Sequence, residues 1–134
     1  MVVLMESFFV RGKPVPQGSM KFIRPGVMIH SRSQDLSLWR ADIARNAELN
    51  GCVRLTGGVS VEVTFVFEKP KSATRPAPWV KPDLDKLIRA VLDGLTGIAY
   101  EDDCQVIHIV TRKIYGSVAG AWIGVSSYAN SATT

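Results

Sequence analysis

The chain has 134 residues, which fits one domain, and 46% of them are hydrophobic, which is enough for a buried core. No apolar run approaches the roughly 18 residues that span a bilayer, and Glu6 interrupts the apolar start, so neither a membrane span nor a signal peptide is expected. The net charge of +4 is uneven: residues 83–103 carry six acids and two bases, or −4, which leaves +8 elsewhere. This distribution favours a polyanionic partner and a place that holds cations.

The first third of the chain predicts a strand, an irregular basic segment and a helix. Val2 to Val10 is rich in β-branched and aromatic residues, and turn-forming residues 11–18 follow it. After irregular structure up to Ser33, a helix capped by Ser31 or Ser33 is expected to end at Gly51. Its apolar residues recur at helical spacing: Leu36, Trp39, Ile43, Ala44 and Ala47.

The middle of the chain predicts a strand, a loop and a second helix. Apolar residues alternate from Val59 to Phe67, as in a strand with one face on a core. Residues 68–82 contain four prolines and a net charge of +3, which favours an extended, mobile loop. Asp83 is the expected N-cap of the helix, and Gly94 and Gly97 loosen its C-terminal end. The helix has one apolar stripe: Leu84, Leu87, Ile88, Val91, Leu92 and Leu95.

Two further strands complete the predicted fold. Gln105 to Tyr115 is apolar on both faces, so this strand is expected to be central in the sheet. Ala121 to Tyr128 is the last strand, and residues 129–134 are expected to form a frayed tail. The order β-α-β-α-β-β predicts a single α+β (mixed α/β) domain over residues 1–134, with two helices packed on a mixed sheet.

Carboxylates occur in two pairs around the second predicted helix. Asp83 and Asp85 begin it, and Asp102 and Asp103 precede the strand that follows. If residues 97–100 turn the chain back along the helix, the pairs converge and require a counter-charge. Mg²⁺ prefers oxygen ligands, can lower the pKa of a bound water and can offset charge on a phosphate.

Each carboxylate also fits an ordinary structural role. Asp83 alone suits a helix cap, and Asp102 with Asp103 suits a turn before a strand. Asp93 suits a solvated helix position paired with Arg89. The joint occurrence of the carboxylates beside a basic loop favours a metal site next to a DNA-binding surface.

Three segments form an ordered set of motifs: Lys81-Pro82-Asp83-Leu84-Asp85, Leu92-Asp93-Gly94-Leu95 and Glu101-Asp102-Asp103-Cys104-Gln105-Val106. In this order they resemble the motifs of the RusA family of Holliday junction resolvases. The resemblance covers roughly Phe8 to Val110. It implies a RusA-like fold and a homodimeric endodeoxyribonuclease that depends on Mg²⁺, with Mn²⁺ as an alternative ion. Such enzymes, common in phages and prophages, cut four-way DNA junctions with paired nicks. The implied setting is DNA recombination and repair in the cytoplasm of a bacterial host.

The resemblance also implies roles for individual residues. Asp83, Asp85 and Asp103 would be the essential metal-binding carboxylates, and Asp102 beside them would also bind the metal. Arg89 occupies the position of a lysine that supports catalysis in the family, and Lys86 stands where asparagine is usual. Because a guanidinium does not readily release a proton, Arg89 implies an electrostatic role, and Lys86 can partly replace the missing amine.

The basic loop before Asp83 is the expected DNA-binding segment. Its cations are Lys69, Lys71, Arg75 and Lys81. Trp79 and Phe22 are expected to be exposed and to stack on unpaired bases. His108 is expected to lie in the core or in an interface. No small-molecule cofactor is expected.

Two alternatives remain open from the sequence. The substitutions at the Arg89 and Lys86 positions also fit a junction-binding or DNA-binding module of the same fold that lacks nuclease activity. A structural domain whose acids only cap a helix is the other alternative.

Overall fold

A computed structural model describes residues 7–18, 22–24, 27–28 and 30–128. The predicted order β-α-β-α-β-β is confirmed, with one additional two-stranded ladder, β2–β3, before the first helix. The predicted start at Val2 and the tail 129–134 lie outside the described residues. The elements are β1 (Phe8–Arg11), β2 (Phe22–Arg24), β3 (Val27–Met28), α1 (His30–Leu49), β4 (Val59–Phe67), α2 (Leu84–Leu95), a 3₁₀ turn (Asp103–Gln105), β5 (Val106–Tyr115) and β6 (Gly120–Ser127).

Four strands form a mixed sheet in the order β1-β6-β4-β5. β4 is parallel to β5 and antiparallel to β6, and β1 is antiparallel to β6. The parallel pair requires a crossover, which α2 provides. The prediction that the strand at Gln105–Tyr115 is central is wrong, because the crossover places β5 on the outer side of β4 while β6 occupies the other side.

The core lies between one face of the sheet and the two helices. The alternation predicted from Val59 to Phe67 is confirmed, since Val59, Val61, Val63 and Phe65 are fully buried. The apolar stripes of α1 and α2 cover them with Trp39, Ile43, Ala47, Leu87, Val91 and Leu95. Burial of each large side chain contributes about 1.5–3 kcal/mol. Within the described residues, no helix combines the length and the apolar character that crossing a bilayer requires.

The ends of the helices differ in part from the prediction. α1 begins at His30, so Ser31 and Ser33 lie inside the helix and neither is its N-cap. Gly51 has φ +76°, the left-handed conformation expected after a helix. Gly94 does not loosen α2: a Cβ there would lie 3.1 Å from Ile43, so the missing side chain lets α1 and α2 pack closely.

Candidate functional site

Asp83 is the N-cap of α2, as predicted, but its carboxylate does not cap the helix. The backbone is extended and its carbonyl accepts from the Leu87 amide at 3.1 Å, while the side chain makes no capping hydrogen bond. Asp83 Oδ2 lies 3.8 Å from Lys86 Nζ, and both side chains are about half exposed. Such an ion pair is weak in solvent, so the Asp83 carboxylate remains available to a ligand.

Residues far apart in the chain hold the start of α2 in place. Lys113 Nζ, from β5, donates to the carbonyl oxygens of Val80 at 2.8 Å and Pro82 at 2.9 Å. The Gln17 amide donates to the Lys86 carbonyl at 2.9 Å, and Arg40 of α1 donates to Gln17 Oε1 at 2.6 Å. No sequence pattern identifies Lys113 or Arg40, because their contacts exist only after the sheet and helices assemble.

Asp85 and Arg89 lie one helical turn apart and are both exposed. The predicted ion pair between Arg89 and Asp93 is wrong: the part of the chain that the structure describes has no such contact. The order of the two residues is the reason, since a base that precedes an acid by four residues is the less favourable arrangement on a helix. The Arg89 side chain is exposed one turn after Asp85.

Asp102 serves the turn that precedes β5. Asp102 is the N-cap of the 3₁₀ turn, and its Oδ1 accepts a hydrogen bond from the Cys104 amide at 2.9 Å. This hydrogen bond lowers the pKa of the Asp102 carboxyl. The structural role considered for Asp102 is thus confirmed. Asp103, the next residue, is exposed.

Residues 101–103 are called the acidic turn, and Gln105 and Tyr100 anchor it to the fold. Gln105 Oε1 accepts from the amides of Glu101 and Asp102, and its Nε2 donates to Leu55 and Gly57 carbonyls at 3.0 and 3.1 Å. The buried Tyr100 hydroxyl donates to the Leu92 carbonyl at 2.7 Å, and burial raises the pKa of this phenol. Asp at the cap and Gln three residues later form a capping box, and Gln105 also belongs to the motif segment that resembles the family.

Replacement of Gln105 by Leu is expected to lower the free energy of unfolding by about 1–3 kcal/mol, because four backbone groups lose a partner. Urea denaturation measures the loss. Gln105→Glu keeps the acceptor to Glu101 and Asp102 and is the control, with a smaller expected loss. An unchanged midpoint in Gln105→Leu would show that the capping box does not stabilise the turn.

The two carboxylate pairs lie at opposite ends of α2. Asp83 precedes its first residue, and the Tyr100 hydroxyl ties the acidic turn to Leu92 near its last turn. The twelve residues of α2 span about 18 Å. Residues 97–100 do not bring the chain back along the helix, and no three His, Cys, Asp or Glu side chains within the described ranges are grouped to hold a metal ion.

The basic loop of residues 68–82, here called the cationic loop, leads directly to Asp83. Lys69, Lys71 and Lys81 are exposed, and Arg75 is half-buried with an Nε that has no hydrogen-bond partner. Residues 68–82 form no helix or strand, as predicted.

The structure bears differently on the aromatic side chains considered for base stacking and for the core. Trp79, in the cationic loop, is 67% exposed, as stacking on a base requires, and the Phe22 side chain lies outside the described residues. His108 is not a core residue: it is exposed, and its Nδ1 lies 2.8 Å from Ser60 Oγ.

Comparison with known proteins agrees with the motifs at these positions. The family model of endodeoxyribonuclease RusA matches residues 11–126, which include both carboxylate pairs and the cationic loop. The chain is also similar to the uncharacterized protein YqaN of Bacillus subtilis (strain 168), with 30% identity over 125 residues that cover 81% of this chain and 86% of the relative. The family match extends over most of the chain, and the chain therefore belongs to the RusA family of endodeoxyribonucleases, which act on branched DNA.

Proposed function

We propose that this protein is a homodimeric, Mg²⁺-dependent endonuclease that resolves four-way DNA junctions by paired, symmetric nicks. The observation that carries the proposal is the exposed carboxylate of Asp83, which makes no capping hydrogen bond and lies between a cationic loop and the exposed Asp85 and Arg89 of α2, within a segment that matches the nuclease family. The carboxylates and the cations have complementary tasks, since one set binds a metal ion and the other binds phosphates.

The donor set fits a hard divalent cation. Mg²⁺ is commonly held by one or two carboxylates together with waters and substrate phosphates, and all the candidate ligands are exposed carboxylates. Asp83, Asp85 and Asp103 would hold the ion, and the local role of Asp102 makes it a positioning residue. When bound, the ion would activate a water and stabilise charge on the scissile phosphate. Mn²⁺ offers the same oxygen preference.

The separation of the two carboxylate pairs supports the proposal of a homodimer. Because α2 keeps Asp83 and Asp85 about 18 Å along its axis from the end that carries the acidic turn, one copy does not unite them at one ion. A second copy supplies the missing half in each of two equivalent sites. Two such sites related by a two-fold axis match the approximate symmetry of a four-way junction and allow symmetric nicks.

The remaining charges suit a DNA backbone. Lys69, Lys71, Arg75 and Lys81 lie in the loop that precedes Asp83, and Lys86 and Arg89 follow Asp85 on α2. The Arg89 guanidinium stabilises negative charge on the phosphate, whereas Lys86 presents an ammonium beside Asp83. These contacts are largely independent of base sequence and therefore favour recognition of DNA shape.

Cleavage of a synthetic four-way junction tests the proposal. With Mg²⁺ we expect two symmetric nicks in labelled junction strands, little cleavage of duplex DNA of the same sequence, and none in EDTA. Salt-sensitive binding of the junction without nicking in Mg²⁺ or Mn²⁺ would instead favour a DNA-binding module that lacks nuclease activity. No binding of DNA at low salt would contradict both functions.

A further inference from the structure

Trp79 is a large apolar side chain that the fold leaves in solvent. Of the three tryptophans in the chain, Trp39 is 3% exposed in the core and Trp122 is 48% exposed on the sheet, whereas Trp79 is 67% exposed. The adjacent Val80 is exposed as well. Single exposed apolar residues are common on protein surfaces, so the surroundings of Trp79 must show what its indole contacts.

The backbone on both sides of Trp79 is held by hydrogen bonds. The Trp79 amide donates to the Ala77 carbonyl at 2.9 Å, and the preceding residue, Pro78, is buried. The Val80 carbonyl accepts from Lys113 Nζ of β5 at 2.8 Å. The indole is therefore carried by a fixed segment, and a ligand that binds it need not order the loop, which lowers the entropic cost of binding.

The charges of the cationic loop favour nucleic acid as the ligand. Residues 69–82 contain four cations and no acid, and Lys69, Lys71 and Lys81 are exposed. The centre of an interface between proteins is depleted in charged residues, so a tryptophan among exposed lysines does not suit one. Proteins that bind single-stranded nucleic acid combine aromatic side chains, on which bases stack, with cations that contact the backbone. Trp79 and these lysines form the same combination.

The position of Trp79 along the chain places such a base near the cut. Trp79 precedes Asp83 by four residues, and an extended chain of that length spans at most about 14 Å. Each strand of duplex DNA advances about 3.4 Å per nucleotide. A base on the indole thus lies within about four nucleotides of a phosphate bound at Asp83.

Only an interrupted double helix offers an accessible base face at that place. In a continuous duplex each base is covered by its neighbours, and uncovering one costs the free energy of unstacking. At the branch point of a four-way junction the arms separate, and the last base pair of an arm can present one face. We propose that Trp79 stacks on a base at the branch point and thereby makes the protein favour junctions over duplex DNA. This inference rests on the proposed function and names a specificity-determining residue for it.

Binding measured in Ca²⁺ in place of Mg²⁺ tests the selectivity. Trp79→Ala is expected to lower affinity for a four-way junction by about 5- to 150-fold, the range that loss of one base–aromatic stack gives. Affinity for duplex DNA of the same sequence should not change, because phosphate contacts supply it. Trp79→Phe keeps an aromatic ring and should lose less. Trp122→Ala, which removes an exposed indole from the face of the sheet opposite the helices, is the matched control and should bind the junction normally.

Tryptophan fluorescence tests the contact itself. In a Trp122→Phe background, Trp39 and Trp79 remain, and Trp39 is buried in the core. A change in emission on binding therefore reports Trp79. A junction should quench the emission, duplex DNA of the same sequence should not, and Trp79→Phe in the same background should abolish the quenching.

Unchanged junction affinity in Trp79→Ala, or equal losses of junction and duplex affinity, would contradict the proposal, as would quenching that persists without Trp79. A changed mass of the DNA-free Trp79→Ala variant in light scattering would also overturn it, since Trp79 would then contact protein. A melting curve checks that the variants fold, and the fluorescence titration does not depend on the alanine variant. If the unchanged protein still nicks junctions in these cases, the nuclease function stands without Trp79. Failure of the unchanged protein to bind the junction would overturn both.

Discussion

Asp83→Asn and Asp103→Asn are each expected to slow cleavage of a four-way junction by about 100-fold or more, while junction affinity stays similar. The amide keeps the size of the side chain but loses the negative charge that a divalent cation requires, and even partners of metal ligands typically contribute 10–100-fold. Asp83 makes no capping hydrogen bond, so its amide variant should fold normally. Single-turnover rates with Mg²⁺ and gel-shift titrations with Ca²⁺ measure the two effects.

Glu101→Gln is the matched control for this prediction. It removes the same charge two residues from Asp103, at an exposed side chain with no proposed role in the site. Its cleavage rate should stay within a few-fold of the unchanged protein. Normal cleavage by either aspartate variant would show that the carboxylates at that end of α2 do not hold the ion.

A mixture of the two variants distinguishes a shared site from a site within one copy. If Asp83 of one copy acts with Asp103 of the other, a mixed dimer has one site with both aspartates intact and one with neither. The mixture should therefore nick a single strand of the junction at a rate that neither variant alone approaches. Continued inactivity after subunit exchange would place both aspartates of each site in the same copy.

Leu87→Ala is expected to have the largest effect on stability, with a loss of about 2–5 kcal/mol in the free energy of unfolding. Leu87 is fully buried between α2 and the sheet, so its truncation leaves a cavity under the helix that begins at Asp83. Urea denaturation followed by circular dichroism measures the change. The same variant should lose cleavage above the temperature at which it unfolds.

Leu49→Ala is the comparison for Leu87→Ala. The substitution is identical, but Leu49 is 76% exposed at the end of α1, and the expected change is within about 0.5 kcal/mol. Equal destabilisation by the two variants would contradict the burial pattern that defines the core.

The elements with a strong local signal could be predicted from the sequence alone. The apolar stripe from Leu84 to Leu95 and the alternation from Val59 to Phe67 define α2 and β4 closely, because burial on one face requires these periodicities. The N-cap position of Asp83 and the left-handed Gly51 are likewise local features of the backbone. The ordered motifs around the carboxylates were sufficient to identify the family.

Other features were decided only by contacts between distant segments. A strand that is apolar on both faces fits the centre of a sheet as well as an unprotected edge, and the crossover through α2 made β5 an edge. The hydrogen bonds by which Lys113 and Arg40 help to hold the start of α2 also depend on how helices and strands assemble. So does the separation of the two carboxylate pairs by α2. The sequence by itself therefore determined the helices, the main strands and the acidic motif. The tertiary structure decided where the two carboxylate pairs of that motif lie. Long-range packing sets the distance between the pairs, and local periodicity does not encode that packing.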